Sequence, residues 1–217
     1  TDLSVVNAAR VSFNKKSYYL YDDDDPSIEY MSEKDMKLMK FLADHGHIIP
    51  FAHCFLSFRI KAPVFIARQL GKHQVGLAWS EVSRRYVDEE PGFFFPKEWR
   101  GKPLNSKQGS DGIFDPLQQH YDLDIWGKFL VESCLSLYNT IIKDGLCAEQ
   151  ARIFMPMAMH TEWIWSGSLL AFIRICNLRL DPHTQKETQD VAKRIAYYLD
   201  QRFPNSWEVS KKYIENI

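Results

Sequence analysis

The sequence predicts a single mixed α/β domain with more helix than strand, on three observations. Segments with apolar residues at helical spacing occupy both halves of the chain. One stretch, "HCFLSFRIK", alternates with the period of a half-buried strand. Finally, 217 residues without an internal repeat suffice for one domain, or at most two small ones, with a substantial core.

Taken in order, "TDLSVVNAARVSF" reads as a short helix capped by Thr1 or Asp2, and the acidic, Pro-bearing "YLYDDDDPSIEY" as a loop. "SEKDMKLMKFLADHG" is a helix. Ser32 caps it, Met36, Met39 and Leu42 share a face, and Gly46 ends it. In "HCFLSFRIK", Cys54, Leu56, Phe58 and Ile60 face one way and Phe55, Ser57, Arg59 and Lys61 the other. Pro63 suits the first turn of a helix through "VFIARQLGKH". Residues 98–121, rich in Gly, Ser, Lys, Asn and Gln, form a long surface excursion rather than a domain linker. A long helix then starts near Asp124 and stops at Gly145, and "CAEQARIFMP" gives a short one. "EWIWS" is a strand, "SLLAFIRICNLR" an apolar helix, and "TQKETQDVAKRIAYYLDQRF" a final helix ending before Pro204.

Composition narrows the function classes. A net charge of −1 is no footprint for nucleic acid, which selects strongly basic domains. Aromatic residues at 14% suit a thick core, an oligomer interface or a pocket for a flat ligand. The cysteines Cys54, Cys134, Cys147 and Cys176 are scattered, so reduced and mostly buried thiols are expected. No apolar run reaches transmembrane length and no signal peptide is visible, although the chain begins without a Met. The expectation is a cytoplasmic protein with no membrane partner.

Several catalytic devices are missing: no G-x-G-x-x-G after a strand, no Walker A loop, no G-x-S-x-G elbow. His45, His47 and His53 are close in sequence, but no Cys or carboxylate cluster completes a metal site, and a structural role outweighs a metal. What remains is a set of arginines in apolar settings: Arg68, Arg152, Arg174 and Arg179. For any one of them an internal carboxylate pair is the commoner outcome. Together with Gln69, Ser83 and Arg85 they point to a small, planar, phosphorylated anion, because the guanidinium fork matches phosphate and heterocycle edges.

The blocks "VVNAARVSF", "HGHIIPFAH", "FRIKAPVFIARQ", "SEVSRRY", "ARIFMP" and "NLRLDPHTQ", in that order, closely resemble the flavin-dependent thymidylate synthases, the ThyX family. The resemblance spans nearly the whole chain apart from 98–121 and the C-terminal tail. It implies one domain over 1–217 with an α/β (α+β) fold, a mixed or antiparallel sheet flanked by helices. The family's R-H-R…S motif appears here as "KHQ", eight residues, then Ser83, one residue longer than the family spacing. Lys72 stands for the first Arg, Gln74 for the second and Ser80 for an Asn. Glu81, Ser83, Arg85 and Tyr86 keep the pattern, while Ile49 replaces a Thr and Ala52 a Glu.

By this resemblance the enzyme converts dUMP to dTMP. Methylenetetrahydrofolate gives the carbon, and FAD, reduced by NADPH, gives the hydride. Gln69, Glu81, Ser83, Arg85, Arg152 and Arg179 would meet dUMP. Ser12, His53, Lys72, His73, Gln74, Glu81 and His183 would meet the flavin or folate. Arg179 would stabilise charge developing at the uracil N1–O2 edge. Ser83, placed like a catalytic residue, lacks an adjacent His base in sequence and reads better as a binding hydroxyl. The resemblance further implies a homotetramer with sites shared between subunits, which explains dinucleotide binding without a Rossmann fingerprint. The rivals are a flavin- and folate-dependent dUMP hydroxymethylase on the same scaffold and a catalytically silent nucleotide- or flavin-binding relative.

Overall fold

The computed structural model describes residues 1–87, 89–105, 109–119 and 122–211. Along the chain these form α1 (Asp2–Arg10), β1 (Leu20–Tyr21), β2 (Glu29–Tyr30), α2 (Glu33–Asp44), β3 (Phe55–Pro63), α3 (Val64–Leu70) and β4 (Leu77–Glu81). There follow β5 (Arg100–Gly101), β6 (Asp111–Ile113), α4 (Leu123–Lys143), α5 (Ala148–Ala151), β7 (His160–Ser168), α6 (Leu169–Arg179), α7 (Lys186–Arg202) and α8 (Pro204–Ser210).

Local chemistry sets most boundaries. Thr1 caps α1 with a reciprocal bond to Ser4, and Ser32 caps α2 by accepting from the Asp35 amide. Asp122 and Ser168 cap α4 and α6 in the same way. Gly46 and Gly145, at φ of +68° and +96°, follow α2 and α4 in the left-handed region that releases a helix end. The strand β3 alternates as its sequence predicts, with Leu56, Phe58 and Ile60 the better covered set.

Some local expectations are corrected or refined. Pro63 is the N-cap of α3 and the last residue of β3, not a first-turn residue, and α3 stops at Leu70 instead of running on to His73. The acidic loop carries the antiparallel pair β1 and β2 at its ends. The excursion holds another, β5 with β6; positions 106–108, 120 and 121 lie outside the described residues. Pro204 ends α7 but also opens α8, so α7 is not the final helix.

β3, β7 and β4 form a sheet in that order. Ser57 meets Ser166 while Arg59 meets Glu162, so index rises on β3 as it falls on β7. The Ser168 amide bonds the Gly76 carbonyl and the Val82 amide the Glu162 carbonyl, which makes β4 antiparallel to β7 as well. A Cβ at Gly167 would lie 2.5 Å from the Gly76 carbonyl oxygen, so this pairing selects glycine there.

The chain divides into two compact units, and the division falls within each of these strands. Unit 1 holds residues 1–57, 73–78 and 166–217; unit 2 holds 58–72 and 79–165. The core of unit 1 joins α1, α2, α6, α7 and α8 through Val6, Met39, Phe172, Ile175, Leu199 and Trp207. The buried α8 start is capped at long range: Asp2 accepts from the Asn205 and Ser206 amides at 2.9 and 3.0 Å. In unit 2, Ile66, Leu70, Trp163 and Trp165 are buried. No helix among the described residues is long and apolar enough to cross a membrane.

Candidate active site

In unit 1 the apolar helix α6 ends on Arg179, and the turn after α3 presents His73. Arg179 Nε donates to His73 Nε2 at 3.0 Å. Accepting at Nε2 places the imidazole proton on Nδ1 and makes the ring neutral. Burial, then the Arg179 charge, push the His73 pKa below its ordinary value, and burial lowers that of Arg179. Among the described residues no carboxylate pairs with Arg179.

A turn at 74–77 follows His73. Leu77 N bonds Gln74 O at 3.2 Å, and Gly76 takes φ +75° where a side chain would be strained. Gln74 is exposed there. His183 is exposed beyond α6, with Nδ1 3.0 Å from Asp181 Oδ1. Ser12, on a 3₁₀ turn after α1, lines a cavity of about 900 Å³ with Phe13, Phe41, His45, His47 and Ile49. Phe41 and His45 stack at 4.1 Å. His53, exposed at the end of the 3₁₀ turn Ile49–His53, is not among this cavity's lining residues. The sequence reading weighed His45 and His47 only as metal ligands and missed their shared wall; the "HGH" block next to "IIPF" was the available signal.

In unit 2 the nucleotide-side residues gather around Glu149. Arg85 Nη1 lies 3.4 Å from the Glu149 carboxylate, and Arg152 Nε donates to the Glu149 carbonyl at 3.3 Å. Ser83 Oγ accepts from both the Arg85 amide and Nε at 3.3 Å, and no His base approaches it among the described residues. That geometry suits a binding hydroxyl. Glu149 was missed because only its neighbour Arg152 stood out in "AEQAR". Arg152 and Glu81 line a second cavity, of about 530 Å³, with Arg59, Lys61, Arg84 and His160. Glu81 is held at both oxygens: Thr161 Oγ1 donates at 2.6 Å and Trp79 Nε1 at 3.0 Å. Gln69 is half-buried on α3 and Lys72 exposed just past its end.

The expectation of arginines set in apolar surroundings is corrected for three of the four. Arg68, Arg152 and Arg174 are exposed, because each occupies the outward position of its helix or turn, and only Arg179 is half-buried. An apolar sequence neighbourhood surrounds a residue along the chain, whereas burial follows the helix face. Of the cysteines, burial pushes the Cys54 and Cys176 thiols up, away from thiolate chemistry.

Comparison with known proteins matches this architecture. The family model described as thymidylate synthase complementing protein covers residues 1–205. A flavin-dependent thymidylate synthase of Thermosipho africanus is 32% identical over 98% of this chain and 87% of its own length. One from Kosmotoga olearia is 32% identical over 95% and 84%. Among solved structures, the UMP/dUMP methylase PolB of Streptomyces cacaoi bound with 5-Br dUMP superposes with a TM-score of 0.79. It is 25% identical, with 96% of this chain and 89% of that one covered.

Proposed function

The chain belongs to the flavin-dependent thymidylate synthase family, and from that premise we propose that it methylates dUMP to dTMP in the cytoplasm, as a single family domain over 1–217. The observation that carries the reading is Arg179: a half-buried guanidinium held through Nε by a neutral imidazole, with no carboxylate partner among the described residues. Such a fork is preorganised for the edge of a heterocycle.

The residues present fit a flavin. The cavity beside Ser12 offers Phe13, Phe41, His45 and His47 to a flat ring. Lys72 and Gln74 are exposed donors without partners among the described residues, although Lys72 lacks the bidentate fork of the Arg it replaces. Ser12, His53, Lys72, His73, Gln74, Glu81 and His183 would hold flavin and folate. A bound flavin would supply hydride chemistry, with NADPH as its reductant and methylenetetrahydrofolate as the carbon donor.

The chain's own residues place and polarise the nucleotide. Arg85, Arg152 and Ser83 hold phosphate and sugar, with Gln69 and Glu81 beside them. Arg179 faces the uracil N1–O2 edge and stabilises the negative charge that appears there as C5 becomes nucleophilic. No thiol is needed for that activation. The enzyme is a homotetramer whose sites draw on neighbouring subunits, which is supported by the solvent-facing apolar residues of α4.

The test is tritium release from 5-tritiated dUMP with dTMP as product, beside a dUMP titration, for wild type and Arg179→Lys. The wild-type protein is expected to be yellow and to release tritium. Arg179→Lys keeps the charge and loses the planar fork, so turnover at saturating dUMP is expected to fall on the order of 100- to 1,000-fold, at least as far as affinity. Normal turnover once saturated makes Arg179 an anchor only. A 5-hydroxymethyl product, or no release from the wild type, overturns the reading.

A further inference from the structure

We propose that Thr161 and Trp79 are positioning residues that fix the Glu81 carboxylate as an acceptor for an N–H or O–H donor of the bound nucleotide or flavin. The proposal rests on the functional reading above and extends it to residues which that reading does not use.

The sheet register brings the three together. Side chains alternate along a strand, so Trp79 and Glu81 share one face of β4, and Thr161, Trp163 and Trp165 share one face of β7. Because the Val82 amide bonds the Glu162 carbonyl at 2.9 Å in an antiparallel ladder, Trp163 lies across from Glu81, and Thr161 is its diagonal neighbour on the same face, within reach of the carboxylate. Thr161 is 8% exposed, a buried hydroxyl whose hydrogen bond among the described residues goes to Glu81 Oε1 at 2.6 Å. A buried donor gives up its hydration only for a partner, so this bond is firmly held. Trp79 is immobilised in turn, stacked on buried Trp163 with ring centroids 4.4 Å apart and edge-on to Trp165 at 5.5 Å. Its indole N–H therefore has a fixed direction, toward Glu81 Oε2 at 3.0 Å.

The consequence lies in what the carboxylate has left. An ionised carboxylate offers about four lone-pair sites, and these two donors occupy one on each oxygen. Glu162, the other acidic strand residue at the same cavity, is engaged by Arg59. Glu81 has no cation partner among the described residues and lines the cavity with its remaining acceptor capacity uncommitted. An exposed Glu would ordinarily sample many rotamers and lose that freedom on meeting a ligand. Here the loss has occurred on folding, which is how supporting residues raise the affinity of a contact they do not make. Because the carboxylate can only accept, it selects ribose or ribityl hydroxyls or an imide N–H, and repels phosphate.

The experiment titrates the full chain separately with dUMP and with FAD. The variants are Thr161→Val (shape kept, donor lost), Thr161→Ser (donor kept) and Trp79→Phe (ring kept, N–H lost), each alone and combined with Glu81→Ala. Thr161→Val and Trp79→Phe are expected to weaken, by about tenfold, the same ligand that Glu81→Ala weakens, and to spare the other. Thr161→Ser is expected to restore wild-type affinity to within about twofold. In the Glu81→Ala background Thr161→Val should cost nothing further, since coupled residues are non-additive. If Thr161→Val lowers both affinities alike, remains additive with Glu81→Ala, or has no effect, the positioning role is overturned while tritium release with dTMP as product from the wild type still upholds the functional reading. If Glu81→Ala leaves both titrations unchanged, Glu81 is not a ligand residue and the proposal goes with it.

Discussion

His73 is neutral for a structural reason, and that reason sets a pH response. Burial, then the neighbouring Arg179 charge, depress its pKa; burial, then Lys61, do the same to His160. In the unfolded chain both titrate near the ordinary imidazole value, about 6.5. Between that value and the lower native ones, the unfolded state binds protons that the native state does not. Stability is therefore intact above about pH 6.5 and falls as the pH drops through this window. His73→Gln, which keeps an acceptor for Arg179, should lose less stability than wild type between pH 7.5 and 5.5, with His160 responsible for a remaining part. Denaturant midpoints at the two pH values measure this. Equal losses in variant and wild type would assign the acid limb to other groups. Asp35 does not confuse the comparison. Its carboxyl, hydrogen-bonded by Ser17, Ser32 and Arg10, is lowered below the usual carboxylate value despite the opposing effect of burial, and acts only in more acidic solution.

At the scale of elements, α8 depends on a residue 203 positions from the first amide it caps. Pro204 occupies its first position and has no N–H to satisfy, and the next two amides point at Asp2, which is 4% exposed. Asp2→Ala strands buried donors and removes the cap, so a loss of about 2 kcal/mol is expected, with Asp2→Asn costing less. Urea unfolding with an unchanged m-value would report it; a shift below about 0.5 kcal/mol would show the contact to be incidental. The sequence could not announce α8, because a short helix after Pro is marginal alone and is stabilised by burial of Trp207 and by this distant cap. β4 escaped for a related reason. "LAWSE" is too short to show a period, and only pairing with β7 makes it a strand.

At the scale of the whole molecule, α4 presents Ile125, Trp126, Phe129 and Leu130 at 60 to 66% exposure, two adjacent i,i+4 pairs on one face. A single chain has no use for such a stripe in water. Sedimentation of the flavin-loaded protein should give a tetramer. Trp126→Glu combined with Phe129→Glu should yield smaller species that retain little FAD. A stable monomer with stoichiometric FAD would sink the shared-site reading. The helices α1, α2, α4, α6 and α7, the caps Thr1 and Ser32 of the first two, and the alternation of β3 were legible in the sequence because they depend on neighbours within a few positions. So were the motif blocks that assign the family, since their residue types and order are retained along the chain even where Lys72 and Gln74 depart from the pattern. Which arginine is half-buried, that Glu149 gathers Arg85 and Arg152, that Thr161 and Trp79 hold Glu81, and that Asp2 caps α8 were decided by tertiary structure alone. Burial of an arginine depends on what packs against its helix face, and the Arg85–Glu149, Thr161–Glu81 and Asp2–Ser206 contacts join segments far apart in the chain, so no local window encodes them.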